Sequence, residues 1–331
     1  MKRWMIAFSA AGLGLVAAFQ ARAAETVTLT LSTWGSPNHP QVKNFIPSFM
    51  ALAEKQSSGQ LKFKYFPNGM MVKEAFVDTA VPNGTVDISL TTMDNWTGRI
   101  PVMGITSTPL WTFSMRDAKS KLEPGQPIFE YFNSALEKDN VKLLALFDVG
   151  PALVSTNFPL RTPADIKGKV IRAVSKGSAV VLKALQASPV VLSVGDVYSA
   201  LQRHTIDGAF SGIGAAWGLK YYEVSKYAMG TNGLTGTFIN GYVMNLAKFN
   251  SLPKDMQTVL MHAAGQARDE MQDVMIKAYD EDLQEIAGKG VQVFVPQPGS
   301  KEWNAWLGAL ADFKASSEKS YPPELLKLVV H

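Results

Sequence analysis

The sequence predicts a two-domain α/β protein in which one long helix crosses both domains. Three observations predict this fold class. Strand and helix patterns alternate up to Gly150-Pro151, the same alternation resumes after that pair, and residues 253–287 form one continuous helical pattern. The chain of 331 residues also exceeds the size at which one hydrophobic core usually suffices.

The first domain alternates strands with helices. Residues 26–32 alternate apolar and polar side chains, which is typical of a half-buried strand. We expect strands at 26–32, 61–66, 84–90 and 141–147, and helices at 42–56, 73–81 and 118–140, the last around a Pro/Gly break. Because parallel strands need crossover helices between them, this order indicates a largely parallel sheet.

The chain is expected to cross between the domains more than once. The first crossing falls at Gly150-Pro151, where the pattern breaks, and a return falls in the Gly- and Thr-rich segment 231–242. The helix that starts at Pro253 would be about 50 Å long, which is long for a single domain. The predicted lobes are 24–150 plus 238–277 and 151–237 plus 278–331, the latter with a strand at 290–296 and a helical tail.

The first 23 residues have the pattern of a secretion signal. A charged start at Lys2 and Arg3 precedes an apolar run at 5–19 and the small residues Ala21 and Ala23. We expect cleavage after Ala23; the alternative, a membrane anchor, would need about 20 apolar residues. Without this segment the formal charge falls from +4 to +1, and no basic run remains, so nucleic acid is not an expected partner.

The patterns of common enzyme sites are absent. The chain has no cysteine, which excludes disulfides, thiolate metal sites, a cysteine nucleophile and a lipid-modified cysteine. Gly212 and Gly214 begin like a dinucleotide loop, but Trp217 replaces its third glycine, and Ser211 lies one position too late for a nucleophile elbow. The scattered histidines are interpreted as structural or surface residues: His39, His204, His262 and His331. The sequence therefore predicts no enzyme, no metal and no cofactor.

The strongest candidate for a binding residue is Arg172. It ends a short apolar strand, Val170-Ile171, and a helix and a second strand-to-turn unit follow. The planar guanidinium can hold a carboxylate through two parallel hydrogen bonds. An acid that enters a closed cleft loses water and needs such a partner in return.

Four ordered motifs include or follow this arginine. They are Thr162-Pro-Ala-Asp-Ile-Lys-Gly-Lys-Val-Ile-Arg172, Ser188-Pro-Val-Val-Leu192, Asp196-Val-Tyr-Ser-Ala-Leu-Gln202 and Ile206-Asp-Gly208. Together they resemble the solute-binding proteins of tripartite ATP-independent periplasmic (TRAP) transporters, the DctP-like family. The resemblance runs from about residue 26 to about residue 295 and is strongest over 150–227.

The resemblance implies a two-lobed periplasmic binding protein fold, type II-like, with a long helix across both lobes. It also implies a function: a periplasmic receptor that closes on an organic acid by hinge motion and delivers it to a TRAP membrane permease. We expect a monomer. An exported hydrolase is the alternative from a different class.

In the resembled family, further ligand contacts lie at fixed offsets from the arginine. These positions hold Ala152, Ser211, Phe238 and Trp34 here, and Glu74 and Thr92 fall where the first lobe of the family offers polar contacts. Ala152 cannot pair with a second carboxylate, and Ser211 and Phe238 replace stronger polar groups. The sequence therefore predicts a monocarboxylate with an apolar or aromatic body; a C4-dicarboxylate or sugar acid is the alternative.

Aromatic side chains are candidates for the walls of such a site, since flat apolar surfaces suit such a ligand. They are Trp34, Phe66, Trp96, Phe210, Trp217 and Phe238. Core packing is the alternative role for each. The predicted ligand-binding residues are Arg172, Trp34, Ser211, Phe238, Thr92, Glu74 and Trp217.

Overall fold

The structure, a computed structural model, describes residues 26–109 and 113–329, so the predicted signal segment lies outside the described residues. The strands are β1 (Val27–Ser32), β2 (Leu61–Phe66), β3 (Ile88–Thr92), β4 (Val141–Thr156), β5 (Val170–Ala173), β6 (Ser188–Val191), β7 (Gly208–Gly212), β8 (Tyr227–Gly230), β9 (Thr237–Asn245) and β10 (Gln292–Phe294). The helices are α1 (Pro40–Gln56), α2 (Val77–Ala80), α3 (Met115–Lys121), α4 (Pro127–Glu137), α5 (Pro163–Ile166), α6 (Lys176–Ala184), α7 (Val197–Gln202), α8 (Ile213–Gly218), α9 (Leu246–Ser251), α10 (Lys254–Gly288), α11 (Lys301–Ser320) and α12 (Pro323–Val329). Short 3-10 helices lie at Glu74–Phe76, Met93–Gly98, Pro101–Ser107, Val194–Asp196 and Tyr221–Glu223.

The sheet contains two parallel sets joined by two long antiparallel strands. Its order is β2-β1-β3-β9-β4-β7-β5-β6, with β8 paired to β4 and β10 to β8. β1 pairs in parallel with β2 and β3, and β5 pairs in parallel with β6 and β7. β4 and β9 pair antiparallel with each other and with their neighbours. The predicted parallel pairing is therefore confirmed for the two outer sets of strands. It is wrong for the centre of the sheet, because β4 and β9 cross between the lobes in opposite directions.

β4 runs through Gly150-Pro151 without ending, and its pairing partner changes there. The strand pairs with β9 from Val141 to Pro151 and with β7 from Ala152 to Thr156, with a register shift between Asp148 and Pro151. Gly150 adopts a φ of +92°, and a Cβ there would lie 2.7 Å from the sulfur of Met115. Glycine thus forms a bulge in a continuous strand rather than an end.

The long helix is confirmed. α10 has 35 residues. Its first part, including Leu260 and Met271, packs in one core with α1, whereas Leu283 and Ile286 pack in a second core with α7 and α8. The helix therefore contacts both lobes. No helix in the described ranges is long and apolar enough to span a bilayer.

The apolar cores lie on the two sides of the crossing strands. We call the side that carries β1–β3 lobe I and the side that carries β5–β7 lobe II. The C-terminal helix α12 departs from the predicted boundaries, because Leu325 and Val329 pack with Phe129 and Phe132 of lobe I. α11 packs on lobe II through Trp306.

Candidate ligand-binding cleft

A cavity lies between the lobes, at the carboxyl ends of β1, β3, β5 and β7. Ligands bind at this edge in open α/β sheets. It is lined by six of the predicted site residues: Trp34, Glu74, Thr92, Arg172, Ser211 and Phe238. Trp217 is not among its lining residues; its ring packs instead against Tyr222, with centroids 5.0 Å apart.

Arg172 is buried, with 2% of its surface exposed, and hydrogen bonds fix its side chain. Its Nε donates to the carbonyl of Leu192 at 3.1 Å, and Nη1 donates to the carbonyl of Phe210 at 3.2 Å and to Oγ of Ser211 at 3.1 Å. These acceptors are neutral, and within the described ranges no carboxylate lies within ion-pair distance of the guanidinium. Burial lowers the pKa of Arg172, and the Tyr221 and Glu74 charges act in the opposite direction. The site therefore holds a buried, oriented cation suited to an anion.

Glu74 faces this cation from lobe I. Its Oε1 accepts hydrogen bonds from Oγ1 of Thr92 at 2.5 Å and from Nδ2 of Asn95 at 3.3 Å. Burial raises the pKa of Glu74 to about 7, although the Thr92 hydrogen bond and the charge of Arg172 lower it. The carboxyl group therefore changes its charge near neutral pH.

His39 lies beside Trp34 on the lobe I wall. The two rings are in edge contact, with centroids 4.8 Å apart and planes at 73°. His39 is 3% exposed, and burial together with the charge of Arg172 lowers the pKa of its ring to about 4. The ring is therefore neutral at physiological pH, with one nitrogen as donor and the other as acceptor. Among the described residues, neither ring nitrogen of His39 nor Nε1 of Trp34 has a hydrogen-bond partner.

Asn240 adds an amide to the same cavity. It lies opposite Thr92 in the β3–β9 pairing and is 3% exposed. Its Nδ2 donates to Oε1 of Gln41 at 2.8 Å, while its Oδ1 has no partner in the part of the chain that the structure describes. The amide is thus fixed on one side and available on the other.

Phe238 forms an apolar wall from the centre of the molecule. It is 5% exposed, and its ring contacts Phe210 in a T-shaped arrangement with centroids 5.3 Å apart. Val149 and Val174 extend this apolar surface. Of the six aromatic candidates, Trp34 and Phe238 line the cavity, whereas Phe66, Trp96, Phe210 and Trp217 do not.

The cavity is small and carries little fixed positive charge. The space between its protein atoms is about 400 Å³, of which a region of about 40 Å³ is open to the centres of water molecules. Arg172 is the one Lys or Arg among the described residues that line it. Ala152 packs in the lobe II core, and Lys176 is exposed on α6.

The lobes also touch beside the cavity, where Asp94 of lobe I meets the start of α6 in lobe II. Oγ of Ser175 donates to Oδ2 of Asp94, and Ser107 and the backbone of Ser178 also hydrogen-bond to this carboxylate. Burial raises the pKa of Asp94, and these hydrogen bonds oppose that shift. The contact joins the two lobes without involving the cavity wall.

Sequence reasoning missed His39, Gln41 and Asn240. The sequence predicts a structural or surface role for His39, whereas the structure places it on the cavity wall. Asn240 could have been found, since it follows Phe238 by two residues in a strand and therefore shares its face. No local pattern indicated Gln41, which reaches the site because α1 packs beside β9.

The comparisons identify the family. Residues 31–316 match the family model described as bacterial extracellular solute-binding protein, family 7, DctP. The chain is 26% identical over 247 residues to the 2,3-diketo-L-gulonate-binding periplasmic protein YiaO of Escherichia coli, with 74% of each chain covered. It is 27% identical over 274 residues to the C4-dicarboxylate-binding periplasmic protein DctP of Rhodobacter capsulatus, with 82% of this chain and 80% of that one covered.

A solved structure shows the same fold. It is a TRAP periplasmic solute-binding protein from Ralstonia eutropha with bound (S)-2-acetolactate, at a TM-score of 0.82 and 21% identity, covering 91% of this chain and 96% of that chain. The chain belongs to the DctP family of extracellular solute-binding proteins. Its family consists of periplasmic solute-binding receptors, so the chain is a transport receptor rather than an enzyme. The hydrolase alternative is therefore set aside.

Proposed function

We propose that this receptor captures a small monocarboxylate with an apolar body. The carboxylate binds Arg172 and Ser211, and the body lies between Trp34 and Phe238. Closure of the lobes then buries the acid and presents a closed surface to the permease. The observation that carries the proposal is a buried guanidinium without an ion-pair partner, in a cavity whose described lining holds no other Lys or Arg.

The charge balance supports one carboxylate rather than two. A second carboxylate in the closed cavity would lie near Glu74 without a lysine or arginine of its own. Burying an unpaired carboxylate costs several kcal/mol, so such a ligand should bind less tightly. The small volume argues equally against a large body.

A second candidate ligand is a C4-dicarboxylate or a sugar acid. Two relatives carry names of this kind, DctP and YiaO. In addition, an outer groove that contains Lys73 shares Trp34, His39 and Glu74 with the cavity. A longer acid could place its second polar end in that groove.

A competition screen separates the two candidates. The purified mature chain is titrated calorimetrically with butyrate and 2-hydroxybutyrate, and then with succinate, malate and galactonate. We expect the best monocarboxylate to bind at least about tenfold more tightly than the dicarboxylates and the sugar acid, about 1.4 kcal/mol. A dicarboxylate or galactonate that binds most tightly would contradict the monocarboxylate proposal and support the second candidate.

Arg172→Lys tests the carboxylate contact. An ammonium cannot make the contacts of the guanidinium to Leu192, Phe210 and Ser211 and also bind a carboxylate as Nη2 can, so we expect affinity to fall by about 2–5 kcal/mol while the fold is retained. Arg203→Lys, at an exposed position, is the matched control and should bind as the parent does. Affinity of the Arg172 variant within threefold of the parent would remove this residue from the site.

Export and oligomeric state complete the proposal. We propose that the signal segment is removed after Ala23 and that the mature receptor is a monomer. Mass spectrometry of the periplasmic protein tests the first statement, and light scattering with and without ligand tests the second.

A further inference from the structure

Four buried polar atoms on the cavity wall have no hydrogen-bond partner among the described residues. They are both ring nitrogens of His39, Nε1 of Trp34 and Oδ1 of Asn240. The three residues line the same cavity as Arg172. Buried polar atoms are nearly always hydrogen-bonded in folded proteins, so a cluster of four is unusual.

The chemistry of the four atoms is mixed. Nε1 of Trp34 can only donate, and Oδ1 of Asn240 can only accept. The neutral ring of His39 offers one donor and one acceptor. A hydroxyl group both donates and accepts, so one hydroxyl can bond to Asn240 and also to Trp34 or His39. A methylene group in the same place would leave all four atoms unpartnered.

Water does not remove the need for the ligand to hydrogen-bond to these atoms. Water molecules in the empty cavity can hydrogen-bond to these atoms, but a ligand displaces them. A ligand group that cannot replace the bonds of a displaced water loses affinity. The polar wall therefore selects among acids that bind Arg172 equally well.

We infer that the ligand carries a hydroxyl group beside its carboxylate, and that His39, Trp34 and Asn240 form the pocket that binds this hydroxyl. This inference rests on the proposed function and names the ligand class as small hydroxymonocarboxylates. Asn240 accepts from the hydroxyl, and Trp34 or His39 donates to it. The apolar body still lies against Phe238.

Matched acids of equal chain length test the inference. Butyrate, 2-hydroxybutyrate and 3-hydroxybutyrate are titrated into the parent chain by calorimetry. We expect at least one hydroxy acid to bind ten times more tightly than butyrate. If butyrate binds as tightly as both hydroxy acids, the inference is overturned while the proposed function stands. If none of the acids binds, including those in the competition screen, both fail.

Two variants assign the hydroxyl to its pocket. Asn240→Leu and His39→Phe should each reduce the ratio of the hydroxy-acid affinity to the butyrate affinity from about tenfold to below about threefold. His262→Phe, at an exposed position, is the control and should keep the full preference. Circular dichroism confirms folding of each variant; if one does not fold, the comparison of acids on the parent chain decides alone. A full preference in both folded variants would overturn the assignment of the pocket.

Discussion

Asp94 and Ser175 belong to different lobes and share a hydrogen bond beside the ligand cavity. Ser175 is the N-cap of α6, and its hydroxyl also accepts from the backbone NH of Ser178 at 3.1 Å. A carboxylate at the start of a helix meets partly positive backbone NH groups, which stabilises it. Asp94 therefore stabilises the end of a helix in the opposite lobe, a contact that exists when the lobes are together.

Gly177 tests this contact between the lobes. A Cβ on Gly177 would lie 2.5 Å from Oδ2 of Asp94 and would also collide with Ser107. We expect Gly177→Ala to weaken ligand binding by at least tenfold, because the lobes cannot come together fully, while the unfolding temperature changes little. The measurement is calorimetric affinity with the best acid of the screen.

The matched control is Gly308→Ala, on α11, where nothing lies within 4 Å of the added Cβ. This variant should bind as the parent does. Unchanged affinity in the Gly177 variant would show that the contact between Asp94 and α6 does not limit closure.

Glu74 makes the affinity for an anionic ligand depend on pH. Its pKa of about 7 will rise further when an anion binds to Arg172 nearby, because like charges favour the protonated carboxyl. Affinity is therefore constant below about pH 7 and falls as the pH rises above it. Asp94 and Arg172 act on the same carboxyl, and His39, with a pKa of about 4, stays neutral in this range.

Titrations between pH 6 and 8.5 measure this effect. Glu74→Gln should bind with nearly the same affinity at both ends of the range, whereas Glu318→Gln, at an exposed position, should behave as the parent does. A flat profile for the parent chain would show that Glu74 does not titrate beside the ligand.

Asp148 makes the stability of the crossing strands depend on pH. Its side chain accepts from the NH of Gly150 at 2.7 Å and from Oγ1 of Thr237, and burial raises its pKa from 3.8 to about 6. The pKa of Asp148 is higher in the folded chain than in the unfolded chain, so the protonated carboxyl stabilises the fold. This contribution to the free energy of unfolding is fully present below pH 3.8 and is lost as the pH rises to about 6.

Asp148→Asn removes this pH-dependent loss of stability. The amide oxygen can still accept from the NH of Gly150 and from Oγ1 of Thr237. We expect the variant to gain stability relative to the parent between pH 4 and pH 7, by up to about 3 kcal/mol for a shift of about two pKa units. Denaturant unfolding at both pH values measures the difference. Asp312→Asn, at an exposed position, should show no such gain; an equal difference at both pH values would contradict the assignment.

Ligand should close the lobes in solution. The expectation rests on the cavity between the lobes and on the contact of Asp94 with α6 across it. X-ray scattering with a saturating acid should give a smaller radius of gyration than the empty receptor. Identical curves would argue against a hinged receptor.

The sequence predicted the parts of the fold that local patterns determine. The period of the strands and the uninterrupted polar and apolar spacing of α10 are local properties, and both predictions are confirmed. The antiparallel pairing of β4 with β9 depends on contacts about 90 residues apart, which no local pattern contains. The pair Gly150-Pro151 predicts a break in the pattern, because glycine and proline usually end a strand, whereas in the structure they form a bulge within β4.

The cavity residues likewise divide into those that local patterns predict and those that depend on tertiary packing. Arg172 could be found from its own strand and its motifs, and it lies where the sequence placed it, on the cavity wall. Trp217 could not be excluded, because only the packing of α8 turns its ring toward Tyr222. His39 could not be found, because no local pattern indicates that its ring is buried beside Trp34 and near the charge of Arg172.

β4, β9 and α10 each run unbroken from one lobe to the other. Motion between the lobes must therefore bend these elements, and β4 departs from regular pairing at the bulge beside Gly150. Bending a strand pair and a helix stores elastic energy, and the stored energy acts as a restoring force. Such a connection favours one relative position of the two lobes and resists displacement from it in either direction.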